Sequence, residues 1–177
     1  MKIADLEFEP SITYETIDKR VKEIAAQLNA DYADKTPIFV GVLNGCFMFM
    51  ADLMKGVTIP CEVAFTKVSS YHGGVTSTRI IKDEYDLSVN IEGRHVVLIE
   101  DIVDTGNTLN YLLAKLEVRR PASITVCALL LKPAALEHKL DELKYVALEI
   151  ENEFVVGYGL DYMEQGRNLK GIYKRVV

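Results

Sequence analysis

Three apolar runs limit what this chain can become: Ile38-Phe39-Val40-Gly41-Val42-Leu43, His95-Val96-Val97-Leu98-Ile99, and the stretch Ser123 to Leu131. Each has the length of one strand and none alternates polar with apolar residues, so each must be covered on both faces. Helical patterns supply the cover. Thr13 can cap a helix reaching about Asn29, in which Ile17, Val21, Ile24, Ala25 and Leu28 fall on one face. Cys46 to Met54 reads as an apolar helix, and about Thr108 to Glu117 as one with Leu109, Leu112, Leu113 and Leu116 as its stripe. Glu62 to Val68 gives a further strand, and Tyr145 to Ile150, Phe154 to Tyr158 and Ile172 to Val176 give shorter ones. This rhythm predicts an α/β fold with a central, mostly parallel sheet flanked by helices. In such sheets ligands bind at the carboxyl ends of the strands. The N-terminal helix and the C-terminal tail are expected to form a small hood lobe over one sheet edge.

Residues 69 to 92 break the rhythm. Ser69 to Thr78 is small, polar and glycine-containing, with no strand or helix period of its own. A long connection of this kind within a compact domain is expected to be a functional lid.

The 177 residues suit one domain, with a core at about 37–150 and a hood from about 1–30 and 151–177. A net charge of -6 argues against a nucleic-acid or anionic-membrane partner, because no basic surplus is there to neutralise phosphates. Cys46, Cys61 and Cys127 are odd in number and lack CxxC spacing, which predicts reduced thiols. Met1 to Glu7 carries acids where an export signal would place an apolar run, and no stretch reaches membrane-spanning length. A cytoplasmic location is expected.

The densest chemistry follows the second apolar run, in Val97-Leu98-Ile99-Glu100-Asp101-Ile102-Val103-Asp104-Thr105-Gly106-Asn107-Thr108. Gly106 allows a tight turn and close approach by a ligand. The free N–H groups that open the next helix favour an anion, and Thr105 and Thr108 add hydroxyl donors. This is a phosphate cradle without the Walker pattern. Glu100 and Asp101 can accept hydrogen bonds from a ribose diol or hold Mg²⁺, and Asp104 places an acid or base in the loop itself.

This segment resembles the phosphoribosyl-diphosphate signature of type I phosphoribosyltransferases, and its form Glu100 to Gly106 is similar to that of the hypoxanthine/guanine branch. Leu43-Asn44-Gly45 resembles that family's first loop and Ser70-Tyr71 its flexible catalytic loop. Lys132 stands where the family has a base-recognition lysine. Phe154-Val155-Val156-Gly157-Tyr158-Gly159-Leu160-Asp161-Tyr162 resembles its purine-binding segment, and Arg167 falls at a diphosphate-binding arginine. The likeness runs from residue 37 to 177.

The resemblance implies a purine-salvage transferase that joins a 6-oxopurine, hypoxanthine or guanine, to phosphoribosyl diphosphate with Mg²⁺, giving a nucleoside monophosphate and diphosphate. It implies that Asp104 acts as the catalytic base and that Glu100, Asp101 and Asp104 with Thr105, Gly106, Asn107 and Thr108 hold the phosphoribosyl group. Lys132, Phe154, Val155 and Asp161 would bind the purine, and Asn44, Gly45 and Arg167 the diphosphate. Glu100, Asp101 and Asp161 would serve the metal, and Ser70 and Tyr71 the lid. A homodimer or homotetramer is expected, with the apolar Cys46–Met54 helix as the surface that suggests it. Two positions depart from the common pattern: Asn44 and Asn107 stand where basic residues are frequent. Two alternatives remain at this point. One is a non-catalytic sensor of phosphoribosyl diphosphate on the same fold; the other is a transferase for xanthine or a pyrimidine.

Overall fold

The structure, a computed structural model, describes residues 1–71 and 80–176, with the backbone alone for residues 69–71 and 80–83. Its frame is a six-stranded sheet. In chain order the strands are β3 (Ile38–Leu43), β4 (Glu62–Tyr71), β5 (Ile80–Tyr85), β6 (His95–Val103), β7 (Ser123–Leu131) and β8 (Leu143–Glu149). In space they lie β5-β4-β3-β6-β7-β8, all parallel except β5. The chain leaves β3 towards β4 on one side and then crosses to β6 on the other. The switch point where connections diverge therefore lies between β3 and β6, and there the carboxyl ends open a crevice.

Helices cover both faces, as the apolar runs require. On one face α1 (Tyr14–Asp31) packs Ile17, Val21, Ile24, Ala25 and Leu28, beside Phe49, Met50 and Leu53 of α2 (Phe47–Gly56). The Thr13 hydroxyl caps α1 by accepting from the Thr16 amide at 3.3 Å. On the other face α3 (Asn107–Glu117) buries Leu109, Leu112, Leu113 and Leu116 over Val96, Leu98 and Val126. Among the described residues no helix is long and apolar enough to cross a membrane. All three cysteines are free, with Cys46 and Cys127 buried.

A second, four-stranded antiparallel sheet stands apart in the order β1-β2-β10-β9: β1 (Lys2–Ile3), β2 (Leu6–Ile12), β10 (Ile172–Arg175) and β9 (Val155–Val156). Ile3, Phe8 and Val156 form its small core. The hood expected from the two chain ends is thus built from strands. Helix α1 belongs to the main core, because its apolar face is matched by the sheet and α2.

Three expectations need correction. Residues 69 to 92 are not structureless throughout: β4 runs on to Tyr71 and pairs antiparallel with β5, Tyr71 opposite Ile80. An edge hairpin is held by its backbone bonds and needs no apolar alternation; the charges Lys82, Asp83 and Glu84 suit an open edge. Strand β6 does not end at Glu100-Asp101, since it pairs with β7 as far as Val103 opposite Leu131. The acids therefore sit inside a strand, not beyond it. The sequence reading also took the Phe154–Tyr158 segment as a strand, and only Val155–Val156 forms one.

Tyr158, at φ 49° and fully buried, ties the segment after β9 to α2 by donating its hydroxyl to Asp52 Oδ2 at 2.7 Å. Tyr158→Phe should cost about 0.5–1.5 kcal/mol, the worth of one hydrogen bond. Tyr158→Ala should cost about 3–5 kcal/mol through the cavity it leaves. Denaturant unfolding checks both, and equal losses in the two variants would show that the ring does not matter.

Candidate active site

A cavity of about 350 Å³ opens at the carboxyl ends of β3 and β6. It is lined by Asn44 and Gly45 after β3, by Glu100 to Leu109 from β6 into α3, and by Asp161 and Arg167 from the connection between β9 and β10. Three distant segments thus supply one concave site, at the place the strand order selects.

Close approaches at two glycines hold the segments together. A Cβ at Gly45 would lie 1.4 Å from Asp101 Oδ2, so the loop after β3 rests directly against that carboxylate. A Cβ at Gly159, itself at φ 104°, would lie 2.0 Å from the Gly45 carbonyl oxygen. Arg167 closes the third side. It donates to the Gly159 carbonyl at 2.9 Å and pairs with Asp161 Oδ1 at 2.7 Å. The other Asp161 oxygen accepts from the Glu164 amide at 2.8 Å.

The acids of β6 occupy an expensive position. Glu100 is buried, and its Oε2 has no hydrogen-bond partner among the described residues. Burial first, and then the neighbouring Asp101 charge, push its carboxyl well above the usual range. Asp101 is raised to about 6, again chiefly by burial, although the Ile102 amide donates to it at 2.8 Å and Arg167 acts in the opposite direction. Burial and the same two acids raise the Cys46 thiol, which keeps it unreactive.

The loop that follows has the form of an anion cradle. Gly106 caps α3 at φ 83°, a conformation costly to other residues, and α3 starts at Asn107. Asp104 is half exposed at the cavity, and its Oδ2 accepts from Lys132 Nζ at 2.9 Å. Lys132 is otherwise buried and comes from the end of β7. The lysine expected to meet the purine therefore lies against the residue expected to act as catalytic base.

Asn44, Gly45, Glu100, Asp101, Asp104, Thr105, Gly106, Asn107, Thr108, Asp161 and Arg167 all line the one cavity. Phe154 does not. It is 45% exposed, stands edge-on to Tyr162 at 5.7 Å, and lines a separate concavity with Glu9, Asn152 and Lys174. Val155 is buried in β9 and also stands outside the cavity lining. The side chains of Ser70 and Tyr71 lie outside the described residues; their backbone ends β4. His72 also lies outside them. Sequence reasoning missed two partners of Asn107, whose Nδ2 donates to Glu137 Oε2 at 3.0 Å and whose Oδ1 meets His138 Nε2 at 2.5 Å. No spacing in the sequence signals these contacts.

Comparison with known proteins bears on the site as a whole. The phosphoribosyl transferase domain family matches residues 13–163. A hypoxanthine-guanine phosphoribosyltransferase of Streptococcus agalactiae serotype V is 48% identical over 155 residues, covering 88% of this chain and 86% of that protein. One from Streptococcus pneumoniae is 44% identical over 168 residues, covering 94% and 93%. Among solved structures, a hypoxanthine phosphoribosyltransferase from Staphylococcus aureus superposes with a TM-score of 0.89 at 42% identity, covering 97% of this chain and 92% of that one.

Two outcomes follow from the geometry. Gly45→Ala must displace Asp101 or the loop, so activity should fall at least about a hundredfold, as expected when reacting groups are misplaced by an ångström. Wild-type turnover in that variant would contradict the contact. The second concerns pH. Glu100 binds its proton more tightly folded than unfolded, so its contribution to stability declines as pH rises above the unfolded carboxyl value of 4.5. Glu100→Gln does not titrate. Its thermal midpoint should therefore rise relative to the parent between pH 5 and pH 8, and a constant difference would refute the buried-acid assignment.

Proposed function

The chain belongs to the phosphoribosyltransferases, in their hypoxanthine-guanine branch, and from that premise we propose that it carries the 5-phosphoribosyl group from phosphoribosyl diphosphate to hypoxanthine or guanine. The single observation that carries the reading is the cavity at the β3–β6 switch. There buried acids, a glycine-turned anion cradle and Asp104 share one space of about 350 Å³, and Lys132 reaches Asp104 from outside its lining at 2.9 Å.

The reaction forms a bond from a purine ring nitrogen to the anomeric carbon and breaks the bond from that carbon to diphosphate. Positive charge develops on the sugar, as in other glycosyl transfers. Thr105 and Thr108, with the first amides of α3, would bind the 5'-phosphate. Asn44 and Gly45, with Arg167, would face the diphosphate. Asp104 would take the proton that the purine must lose. Its Oδ2 is held by Lys132, and its other oxygen has no partner among the described residues. Lys132 would also donate to the exocyclic oxygen of a 6-oxopurine, and Phe154, 45% exposed but outside the cavity lining, would stack on a base that reaches beyond that cavity. Val155 would offer backbone groups to the base edge. Closure over the site by the segment that includes Ser70 and Tyr71 would exclude water from the cationic sugar.

Mg²⁺ suits these donors. Among the described residues no group of three or more acids, histidines or cysteines converges on one point, so the ion would need oxygens of the substrate as well. That is the usual arrangement for this metal on phosphates. The unpartnered, buried Glu100 Oε2 is an oxygen donor with nothing else to bind. Glu100 and Asp101 would hold the ion, whose chemistry is to neutralise and orient the leaving diphosphate. Asp161 fits this part less directly, because both its oxygens already have partners.

Exposed apolar side chains on α2 and β4, namely Phe47, Val63 and Phe65, support self-association into a dimer or tetramer. A soluble, cytoplasmic salvage role accords with the acidic chain.

Absorbance assays with hypoxanthine, guanine, xanthine and a pyrimidine, each with phosphoribosyl diphosphate and Mg²⁺, test the reading. Turnover of the first two is expected. Tight binding of phosphoribosyl diphosphate without turnover of any base would establish a sensor instead. Asp104→Asn should lower kcat by about 10²–10⁴ while leaving phosphoribosyl-diphosphate binding intact. Near-parental turnover would remove Asp104 from its role.

A further inference from the structure

Asn107 stands in the phosphate loop where a cation would be natural, yet its side chain is fully engaged. The segment after the 3₁₀ turn Pro133–Ala135 lies against this loop. The Glu137 amide donates to the Thr105 carbonyl at 2.9 Å, and Leu136, His138 and Leu140 pack against the space beside Gly106.

The polarity of the side-chain bonds can be worked out group by group. Glu137 Oε2, 3.0 Å from Asn107 Nδ2, is a carboxylate oxygen and accepts. This fixes the orientation of the amide. Asn107 Oδ1 therefore faces His138, and His138 Nε2, 2.5 Å away, must carry the hydrogen. The second Nδ2 hydrogen points to Thr105 Oγ1 at 3.0 Å, and the Asn107 amide approaches the same oxygen at 3.4 Å. Thr105 Oγ1 thus accepts on its inner side. Its one hydrogen has no acceptor among the described residues, and Thr105 lines the cavity.

We propose that His138 is a positioning residue for phosphate recognition: acting through Asn107, it orients the Thr105 hydroxyl as a donor to the 5'-phosphate. A neutral relay from His138 Nε2 to Asn107 Oδ1, and from Asn107 Nδ2 to Thr105 Oγ1, thereby takes the place of a charge at position 107. Without His138 the amide oxygen loses its anchor, and only the exposed bond to Glu137 still opposes a turn of the amide. Once that oxygen turns to Thr105, the hydroxyl donates to it and is lost to the ligand. The inference rests on the proposed phosphate role of Thr105 to Thr108.

The test is direct titration of phosphoribosyl diphosphate with Mg²⁺, alongside kinetics with each substrate varied, on the full chain. Because binding is read without turnover, failure of the enzyme reading and failure of this one are separable. His138→Ala should weaken phosphoribosyl-diphosphate binding about three- to tenfold, the worth of one hydrogen bond, with kcat and the KM for the base within about twofold of the parent. His138→Gln, whose amide can donate to Asn107 Oδ1, should restore binding to within about twofold. In a Thr105→Val background, which lacks the hydroxyl, His138→Ala should add almost nothing. The proposal is overturned if His138→Ala binds normally, if His138→Gln is as weak as His138→Ala, or if the loss persists in full without the Thr105 hydroxyl. Should His138→Ala not fold, Asn107→Ala takes its place in the same double-mutant cycle, read by phosphoribosyl-diphosphate binding alone: a loss that persists in full in the Thr105→Val background overturns the proposal.

Discussion

The contact of Asp101 with Gly45, and of the Gly45 carbonyl with Gly159, is the constraint on which the rest of the site depends. A side chain at either glycine would overlap its neighbour, at 1.4 Å and 2.0 Å. The turn after β9 therefore meets the end of β3 backbone to backbone, and the end of β6 meets it through one side chain, Asp101. Cores and close backbone contacts of this kind do not deform gradually. The turn is itself rigid, with the Tyr158 amide bonded to the Leu169 carbonyl at 2.8 Å and the Gly159 amide to that of Arg167 at 2.9 Å. The small antiparallel sheet thus does more than cover the crevice: it carries the stop against which the first loop is set.

The same contact places the acids where they are hardest to ionise. A carboxylate within a strand, flanked by apolar residues on both faces, loses its water, and Glu100 has no partner at one oxygen to make up the loss. The fold tolerates this because the surrounding layers are apolar and complete. Val96 to Ile99 and Val126 to Leu130 are all fully buried. Under the proposed function, a cation bound by these acids would raise the stability of the protein, as linkage requires.

How much of this was readable from the chain depends on the kind of interaction. Doubly buried strands need only apolar residues in a row, so β3, β6 and β7 stood out, and so did the apolar faces of α1 and α3. What a face packs against is not written in its period, which is why α1 was expected in the hood although it packs with α2 on the sheet. The β4–β5 hairpin was hidden because its backbone pairing, Tyr71 opposite Ile80, needs no apolar period in the chain. Within the site, the run from Glu100 to Thr108 was legible because ligand-binding chemistry is local there. The approach of Gly45 to Asp101 was not, since it joins residues far apart in the chain and depends on an absent side chain. Asn107 shows the limit most clearly. As a letter it signals a missing charge; its partners Glu137 and His138 lie 30 and 31 residues away.

The charges of the site make that relay physically sensible. Its two cations are already neutralised internally, Lys132 by Asp104 at 2.9 Å and Arg167 by Asp161 at 2.7 Å. Glu100 and Asp101 add further acid, so the empty cavity offers an anionic ligand little net attraction. Under the proposed function the ligand carries several phosphate charges into this space. Neutral donors at Thr105, Thr108 and the α3 amides then favour the 5'-phosphate without requiring a pair to break. The diphosphate end can be accommodated with Mg²⁺, which matches the acids that would otherwise repel it. Recognition is thereby divided, with oriented dipoles at one end of the substrate and a cation shared with the protein at the other. A lysine at position 107 would meet Glu137, the partner of the Asn107 amide, and would pair with it, which is why simply adding charge there would not reproduce what the amide does.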